Sequence, residues 1–518
     1  MRKLCKRTLD VTPVPTSKKQ KQRTVTNFEI DRLEAFVLLW QNCMTLRDIA
    51  FAFQLCHTSH YLRSNMCSTL CRMYELSHDQ VHCLYRVFLK QNVFITGPAG
   101  TGKTFIGHII YAMLTGMDKQ VARTASTGVS AINIHGQTVH SFAGIGINET
   151  LRTATMARWR DEQNYVFENY LNLDAQILDE VSMLNANQFS LIEAVPRFMR
   201  NEHTTPAGGL QMIIFGDFLQ LPPVKGEFAF MSPAWTQLNL VPCVLTTPHR
   251  QLNTMWYEML CKLRLGQVNT FIFEQLKQRV TLQPDPNCPR LFSKRVVVDA
   301  ENEKKLAELT SETTTLYSTT TVFKIVSKTC ILPVLDFRGM GGARERETMK
   351  GAEQLDQHFK APHALKLKVG ARVMLVDNNA ITNPKYRSKV ANGSTGEVVG
   401  YRNNAVVVQF DDVGNPLSVP RVTWEVTHRG KRETYIRTQY PLMLAWAITI
   451  HKAQGLGMTR LRTSLRGSEI FQAGQGYVSL SRARTLEGLD LDAFDIDSIR
   501  VDQRCIEFYN NLERQIQK

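Results

Sequence analysis

The segment Gly-Pro-Ala-Gly-Thr-Gly-Lys-Thr at residues 97–104 constrains the fold more than any other feature, because it matches the P-loop pattern. A P-loop needs a strand before it and a helix after it, so that backbone N–H groups at the helix N-terminus surround phosphate oxygens. The sequence predicts both, a strand at Val93–Thr96 and a helix at Lys103–Leu114. Lys103 is expected to reach the β- and γ-phosphates of ATP, and Thr104 to hold Mg²⁺ through its hydroxyl. The predicted nucleotide-binding loop consists of Gly97, Pro98, Ala99, Gly100, Thr101, Gly102, Lys103 and Thr104.

Polar side chains with the chemistry of hydrolysis follow two further apolar runs. Asp179 and Glu180 end the run Gln176-Ile177-Leu178. Asp179 is predicted to bind Mg²⁺ through water, and Glu180 to orient and deprotonate the attacking water. Gln220, in the segment 216–223, is predicted to hydrogen-bond the γ-phosphate or that water. Arg250 and Arg482 are candidates to neutralise transition-state charge across a cleft, with ordinary salt bridges as the competing interpretation.

The pattern around these residues predicts an α/β fold. From Leu76 to about Val244, short apolar runs alternate with helical stretches, as in parallel strands joined by crossover helices. Residues 149–173 look like a small insertion, and residues 253–360 are predicted to be mostly helical or irregular. Further strands are predicted at Val121–Ala125, Ala175–Leu178 and Leu210–Phe215. A small inserted β-barrel is predicted from the short runs Glu397–Tyr401, Ala405–Phe410 and Val422–Val426, after which Leu442–Ile450 resumes the α/β pattern.

Charge favours a polyanionic partner. The 518 residues include 62 Lys and Arg against 47 Asp and Glu, a formal net charge of +15. Such a balance is typical of proteins that bind nucleic acid. The apolar runs are far shorter than the ~18 residues that a membrane helix needs, so we expect a soluble protein with no membrane partner.

The eleven cysteines have no framework spacing, which predicts reduced thiols. One cluster contains enough ligands for zinc, although its spacing fits no standard pattern and buried cysteines are the competing interpretation. Its members are Cys56, His57, His60, Cys67 and Cys71.

The first 27 residues carry eight basic side chains against the single acid Asp10, and two prolines break any helix. We predict a disordered basic tail at 1–27 and a helical extension at 28–75. The run Lys18–Arg23 has three interpretations: a nuclear-import signal, a nucleic-acid contact or a solvated tail. The expected localisation is therefore nuclear, with a mitochondrion, or a host nucleus for a viral protein, as alternatives.

Seven ordered segments resemble superfamily 1 helicases of the PIF (petite integration frequency) type, which are relatives of RecD. They span Leu76 to Leu489 and include Leu76–Gln80, Thr124–Gly128 with His135–Gly144, Asp179–Leu184, Gly216–Pro223, Leu444–Gly455 and Tyr477–Ala483. The resemblance implies two RecA-like domains with ATP between them and single-stranded DNA across both. It places the first domain at 76–245 and the second at 246–518, with an SH3-like barrel at 393–437 and a strand-separating wedge at 149–173.

The resemblance also implies roles for individual residues. Gln80 would read adenine, and Lys103, Thr104, Asp179, Glu180, Gln220, Arg250 and Arg482 would run and couple hydrolysis. The residues implied to face the DNA strand are Thr127, His140, Phe142, Thr449, His451 and Lys452. His249 departs from the family, which usually has an aromatic residue there.

The implied activity is an ATP-dependent 5′-to-3′ DNA helicase, acting on single-stranded and forked DNA in replication, repair, recombination or telomere maintenance. Two alternatives stay open. The first is a translocase of the same fold that acts mainly on RNA or on stalled protein–DNA complexes, and whose unwinding is secondary. The second is a non-catalytic, nucleotide-gated DNA clamp, for which retention of all the hydrolytic side chains has no chemical need. RNA–DNA hybrids are kept as an additional partner of the helicase.

Overall fold

The computed structural model describes residues 76–145, 165–251, 253–281, 288–327, 330–336, 361–377, 392–428 and 433–517, with positions 356, 359, 380, 381, 386 and 390 between them. All of these belong to one unit of the chain, residues 46–518. The predicted tail, the helical extension, the Cys56–Cys71 cluster and residues 149–164 of the insertion lie outside them. In the described ranges, no helix is long and apolar enough to cross a membrane.

A six-stranded parallel sheet forms the first half of the fold, in the order β3-β2-β4-β5-β1-β6. Its central strands are short and buried along their whole length, as expected where helices cover both faces. The predicted strands at 93–96 and 121–125 are confirmed, and the other two differ by one residue at one end. The strands are β1 Val93–Thr96, β2 Val121–Ala125, β3 Gln137–Thr138, β4 Ala175–Asp179, β5 Gln211–Phe215 and β6 Val241–Val244.

Helices connect and cover these strands. The predicted helix after the P-loop begins at Lys103, as expected, and continues two residues further than predicted. The helices of this half are α1 His78–Phe88, α2 Lys103–Gly116, α3 Gly128–Asn133, α4 Val139–Ala143, α5 Tyr165–Leu171, α6 Ala186–Met199 and α7 Pro233–Gln237. Single 3₁₀ turns lie at Val181–Met183, Pro206–Gly209 and Ala229–Met231.

A second parallel sheet, in the order β19-β7-β20-β21, forms a second core. The whole is therefore an α/β fold with parallel sheets. The strands are β7 Arg290–Phe292, β19 Ala447–Thr449, β20 Leu461–Leu465 and β21 Leu489–Phe494. The helices of this half are α8 Thr254–Arg264, α9 Thr270–Gln278, α10 Arg295–Glu308, α11 Ile450–Ala453, α12 Gln475–Leu480 and α13 Gln503–Gln517, with a 3₁₀ turn at Ile496–Ser498.

Antiparallel strands occupy the sequence between β7 and β19. They form a sheet β15-β14-β13-β12-β18, a sheet β10-β9-β17-β16 and the pair β11-β8. The prediction that 253–360 is mostly helical or irregular is therefore wrong from β8 to β10. The β region also extends beyond 393–437 at both ends. The strands are β8 Thr314–Tyr317, β9 Thr319–Ser327, β10 Cys330–Asp336, β11 Ala364–Leu367, β12 Arg372–Leu375, β13 Thr395–Arg402, β14 Ala405–Phe410, β15 Leu417–Val419, β16 Val422–His428, β17 Glu433–Gln439 and β18 Leu442–Leu444.

The C-terminal helix α13 packs into the core of the first half. Cys505, Tyr509 and Leu512, spaced on one helix face, are buried in the same cluster as Phe94 and Phe218. The prediction that 246–518 forms the second domain is therefore wrong for this helix. An amphipathic helix must cover its apolar stripe, and this one does so on the first sheet.

Candidate nucleotide-binding and strand-binding site

The P-loop turns sharply between β1 and α2. Gly97, Gly100 and Gly102 have φ angles of 146°, 90° and 81°, which favour glycine. A Cβ atom at Gly97 would also lie 2.2 Å from the carbonyl oxygen of Leu245. The loop is thus fixed by its backbone, with the first N–H groups of α2 left for a ligand.

Lys103 closes the loop with its own side chain. Its Nζ donates to the carbonyl oxygens of Gly97, at 2.7 Å, and Pro98, at 3.0 Å. Burial lowers the pKa of Lys103 to about 8, although the carboxylates of Asp217 and Glu180 oppose that shift. A half-buried ammonium that donates to backbone carbonyls is well placed to bind phosphate oxygens instead.

Asp179 and Glu180 stand at the carboxyl end of β4. Glu180 has a φ of 55°, a strained conformation of the kind that clusters at functional sites. Burial, reinforced by the neighbouring Glu180, raises the pKa of Asp179 to about 7, and burial also raises the pKa of Glu180. Gln454 Nε2, after α11, donates to Glu180 Oε2 at 3.0 Å. The predicted catalytic base therefore touches the second half of the fold.

Thr104 and Asp179 line one narrow cavity beside Lys103. The Thr104 side chain is exposed, and Asp179 is the last residue of β4. A hydroxyl and a carboxylate at the same opening are the oxygen donors that Mg²⁺ prefers, so these residues fit the predicted ion.

Asp217, to which no sequence motif assigns a role, forms hydrogen bonds with Arg264 and Gln220. Its carboxylate accepts a bidentate pair from Arg264, at 2.9 and 2.8 Å, and the amide of Gln220 at 3.0 Å. Burial opposes the ionisation of Asp217, but Arg264 and Lys103 outweigh it and keep its pKa below the usual value. Gln220 is thus held by a charged carboxylate at the end of β5.

Gln80 lies behind the P-loop in the described structure. It is fully buried, and Gln80 Nε2 donates to the carbonyl oxygen of Thr101 at 3.3 Å. It also lies 3.2 Å from Nε2 of His249, whose backbone N–H donates to Gly100. Ser77 and Gln80 form a capping box that fixes this end of α1. Gln80, which is predicted to read adenine, is therefore in contact with His249, the residue that departs from the family.

The two candidate arginines lie near each other, Arg482 buried and Arg250 half-buried. Arg482 is 1% exposed and donates to the carbonyl oxygen of Val478 at 2.9 Å, while Arg250 donates to that of Gly455 at 2.6 Å. Burial lowers the pKa of Arg250 to about 9 and that of Arg482 to about 10. The carboxylate of Glu180 lies close enough to Arg482 to favour its charged form.

Tyr477, on the same helix that leads to Arg482, was not predicted as a site residue. Its hydroxyl accepts a hydrogen bond from the backbone N–H of Ala99, in the P-loop, at 2.9 Å. Gln454 and Tyr477 lie within two of the segments that resemble the helicase family, and this was the signal that could have pointed to them. Arg264 lies in none of those segments, and its role follows only from a contact between distant parts of the chain.

Two of the predicted strand-facing residues occupy matching positions in the two halves. Thr127 caps α3 by accepting from Ser130 N, and Thr449 caps α11 by accepting from Lys452 N, both at 3.2 Å. Lys452 has an exposed side chain.

The predicted histidines and Phe142 differ in their placement. Burial lowers the pKa of both His140 and His451. Phe142 is 3% exposed and packs edge-on against Tyr170, at 4.9 Å between ring centroids. Its prediction as a strand-facing residue is therefore wrong, because Phe142 lies on the buried face of α4 with Val139 and Ala143.

Comparison with known proteins places this arrangement in a family. The family model described as PIF1-like helicase matches residues 76–265. The Pif1 ATP-dependent DNA helicase of Bdellovibrio bacteriovorus is 30% identical over 446 residues, covering 85% of this chain and 92% of that protein. The chain belongs to the PIF1-like helicase family. The human ATP-dependent DNA helicase PIF1 is 34% identical over 454 residues, and the alignment covers 85% of this chain but 64% of the human protein.

Solved PIF1-family structures agree with the fold. Pif1 of Candida albicans has a TM-score of 0.63 at 28% identity, covering 84% of this chain and 99% of that one. Bacteroides sp Pif1 in complex with ADP-AlF4 has a TM-score of 0.68 at 26% identity, covering 85% and 97%. Bacteroides Pif1 bound to single-stranded DNA has a TM-score of 0.55 at 26% identity, with the same coverage.

Proposed function

We propose that this chain is an ATP-dependent DNA helicase that moves 5′ to 3′ on single-stranded DNA and unwinds duplexes ahead of it. The observation that carries the proposal is the contact between the two halves at the nucleotide site. Gln454 and Tyr477, from the second half, hydrogen-bond Glu180 and Ala99 in the first. Gln454 lies in the same segment as Thr449, and Tyr477 lies in the same segment as Arg482. A change at the nucleotide is thereby transmitted to the proposed strand-binding surface.

Hydrolysis follows from the placement of the first-half residues. The Lys103 ammonium exchanges its carbonyl partners for the oxygens of the triphosphate, and Glu180 accepts a proton from the attacking water. Thr104 and Asp179 would hold Mg²⁺, which when bound supplies positive charge to the β- and γ-phosphates. Arg250 and Arg482 would neutralise the charge that develops in the transition state.

Residues of the second half couple ATP hydrolysis to movement of the DNA strand. When hydrolysis removes the γ-phosphate, Gln220 and Arg482 lose a shared anionic partner, and the halves separate. Thr127 and Thr449, at matching helix starts, would hold successive backbone positions of one strand. Alternate closing and opening then moves the strand without reading its sequence.

The proposed substrates are single-stranded and forked DNA. Solved Pif1 relatives bound to single-stranded DNA and studied at forked duplex DNA support this choice. The net charge of +15 supplies attraction to the phosphate backbone. RNA–DNA hybrids are proposed as an additional substrate. Nuclear localisation is proposed from the basic run Lys18–Arg23, and fluorescence imaging with and without residues 18–23 tests it.

ATP hydrolysis stimulated by nucleic acid tests the proposed chemistry. The rate is measured with no nucleic acid, with single-stranded DNA and with RNA of the same sequence, for the wild type and Lys103→Ala. We expect DNA to stimulate hydrolysis most and Lys103→Ala to abolish it. Lys119→Ala is the matched control, because Lys119 only pairs with Asp174 at the surface. Undiminished turnover in Lys103→Ala would contradict the P-loop assignment, and stronger stimulation by RNA would contradict the DNA assignment.

A further inference from the structure

The hydroxyl of Tyr509, near the C-terminus, lies between the ends of two strands of the nucleotide-binding sheet. Tyr509 is on α13, which packs into the first core. Its hydroxyl oxygen is 2.7 Å from Thr96 Oγ1, the last residue of β1 before the P-loop. It is also 3.0 Å from Asp217 Oδ1 and 3.2 Å from the backbone nitrogen of Phe218, just after β5. Tyr509, which is remote in sequence from the P-loop, thus reaches the edge of the sheet at which ATP hydrolysis is proposed.

One assignment of hydrogens satisfies the whole cluster. A hydroxyl has one proton to donate and two lone pairs that accept. Asp217 offers only acceptor oxygens and Phe218 only an N–H, so Tyr509 donates to Asp217 and accepts from Phe218. Its second lone pair then accepts the hydroxyl proton of Thr96. Every hydrogen-bonding position of the Tyr509 hydroxyl is used, which fixes its direction.

The Asp217 carboxylate passes this constraint to Gln220. The oxygen that accepts from Tyr509, Oδ1, also accepts from Arg264, and Oδ2 accepts from Arg264 and from the side-chain amide of Gln220. Gln220 is 5% exposed. A rotation of the carboxylate would therefore displace the Gln220 amide.

Asp217 is also held from both halves of the fold. Tyr509 approaches from the first core, whereas Arg264 belongs to α8, whose Met259, Leu260 and Leu263 pack in the second core. The Arg264 guanidinium lies over the Tyr509 ring, 4.6 Å from its centroid. The backbone N–H of Leu219 also donates to Asp217 Oδ1, at 3.2 Å, so Tyr509 and Leu219 together hold the carboxylate in the first half against the pull of Arg264.

We infer that Tyr509 is a positioning residue for ATP hydrolysis, which holds Asp217 so that the Gln220 amide keeps its direction as the two halves move. The C-terminal helix is then part of the ATPase machinery and more than a cover for the first core. This inference rests on the proposed ATP hydrolysis. It adds a residue outside all the motifs that the sequence displays.

Tyr509→Phe tests the inference, because it removes the hydroxyl and keeps the ring. Tyr440→Phe is a closely matched control. Tyr440 is 5% exposed, its hydroxyl donates to the Asn404 carbonyl at 2.9 Å, and Arg421 lies 4.9 Å over its ring. For both variants and the wild type, DNA-stimulated kcat and KM for ATP are measured per active site, with sites counted by titration with a tight-binding ATP analogue. Thermal unfolding is recorded in parallel.

We expect Tyr509→Phe to lower kcat about tenfold with KM within about twofold, because the change affects the transition state more than substrate binding. Tyr440→Phe should leave both constants unchanged. In a Gln220→Ala background, Tyr509→Phe should cause no further loss beyond about twofold, since the two residues act as a unit. A merely structural role would instead lower the number of active sites and leave kcat per site intact.

Three other results would overturn the inference or the function on which it rests. A Tyr509→Phe variant with wild-type kcat per site overturns the inference, whatever its thermal stability. Full additivity with Gln220→Ala overturns the route through Asp217. A wild-type chain that binds nucleotide but hydrolyses none overturns the proposed function, and this inference falls with it.

Discussion

Lys103 is the residue whose charge decides whether the P-loop can bind a triphosphate. Burial lowers its pKa to about 8, so deprotonation begins within a range accessible to experiment. The protonated form attracts the phosphates, and we therefore expect ATP binding by the free enzyme to weaken as the pH rises through about 8. The dissociation constant of a fluorescent ATP analogue, measured from about pH 7 to 9.5 at fixed ionic strength, checks this.

Lys103→Arg is the control for that pH profile, because arginine stays charged throughout this range. Its affinity for the analogue, although weaker, should remain constant with pH. A constant affinity in the wild type would contradict the shifted pKa and its assignment to Lys103.

Glu180 is the residue assigned to deprotonate water. Glu180→Gln keeps the size of the side chain and removes the base, so kcat should fall about 10²- to 10⁴-fold. ATP should stay bound and hold the closed state, so that single-stranded DNA binds more tightly with ATP than without. Glu258→Gln, at an exposed position on α8, should behave as the wild type. A Glu180→Gln variant with undiminished turnover would contradict the assigned role.

At this scale a sequence displays continuous motifs but not contacts between distant segments. Lys103 is recognisable because its motif is continuous. The geometry agrees with the predicted proximity of Thr104 and Asp179. Tyr509 and Arg264 were missed, since their roles arise only where distant segments meet at Asp217. Phe142 was misassigned although the spacing of Val139, Phe142 and Ala143 already indicates a buried helix face.

The helix α12 and the loop before it lie close to the first half of the fold. Gly474, which caps α12, has a φ of 77°, and a Cβ atom there would lie 2.1 Å from the Gln220 carbonyl oxygen. We expect Gly474→Ala to push Tyr477 and Arg482 away from the nucleotide and to lower DNA-stimulated kcat about tenfold or more. Steady-state hydrolysis assays check this.

Gly414→Ala is the matched control, because nothing lies within 4 Å of a Cβ atom there and its φ is not positive. That variant should hydrolyse ATP at the wild-type rate. Equal rates for the two variants would contradict the importance of this close approach.

Elements were predictable from sequence where strands are apolar and their helices adjoin them. Four of the six strands of the first sheet were predicted, and their bounds agree to within a residue. The two-residue β3, Gln137–Thr138, has no apolar residue, and it and β6 were not predicted. The threonine-rich strands β8 and β9 are less apolar, and β9 pairs with β17, where Thr319 lies opposite Thr438. Pairing between segments so far apart leaves no local pattern, which is why this region is predicted from the sequence to be mostly helical or irregular.

At the scale of the whole molecule, the C-terminal helix α13 returns to the first half of the fold, and the sequence does not show this. The amphipathic pattern of α13 indicates a helix, but nothing in it specifies which core covers its apolar face. The structure places that face on the first sheet, where Phe508 stacks on Phe230 at 4.4 Å between ring centroids. The C-terminal helix of the second half therefore packs on the first half.

The charge of the whole chain predicts strongly salt-dependent DNA binding. For single strands, log K falls by about 0.7 per neutralised phosphate for each unit of log salt concentration. With about four phosphates engaged, affinity should fall roughly 50-fold between about 50 and 200 mM salt. Fluorescence anisotropy with labelled single-stranded DNA measures the slope. An affinity that is independent of salt would contradict the proposed backbone contacts.

Unwinding of a matched pair of DNA duplexes tests the central claim most directly. One duplex has only a 5′ single-stranded tail and the other only a 3′ tail of the same sequence, and each is incubated with ATP and Mg²⁺. The account predicts that the wild type opens the 5′-tailed duplex selectively and that Lys103→Ala opens neither. Selective opening of the 3′-tailed duplex would contradict the direction of movement. Failure to open either duplex, despite DNA-stimulated ATP hydrolysis, would contradict the helicase assignment.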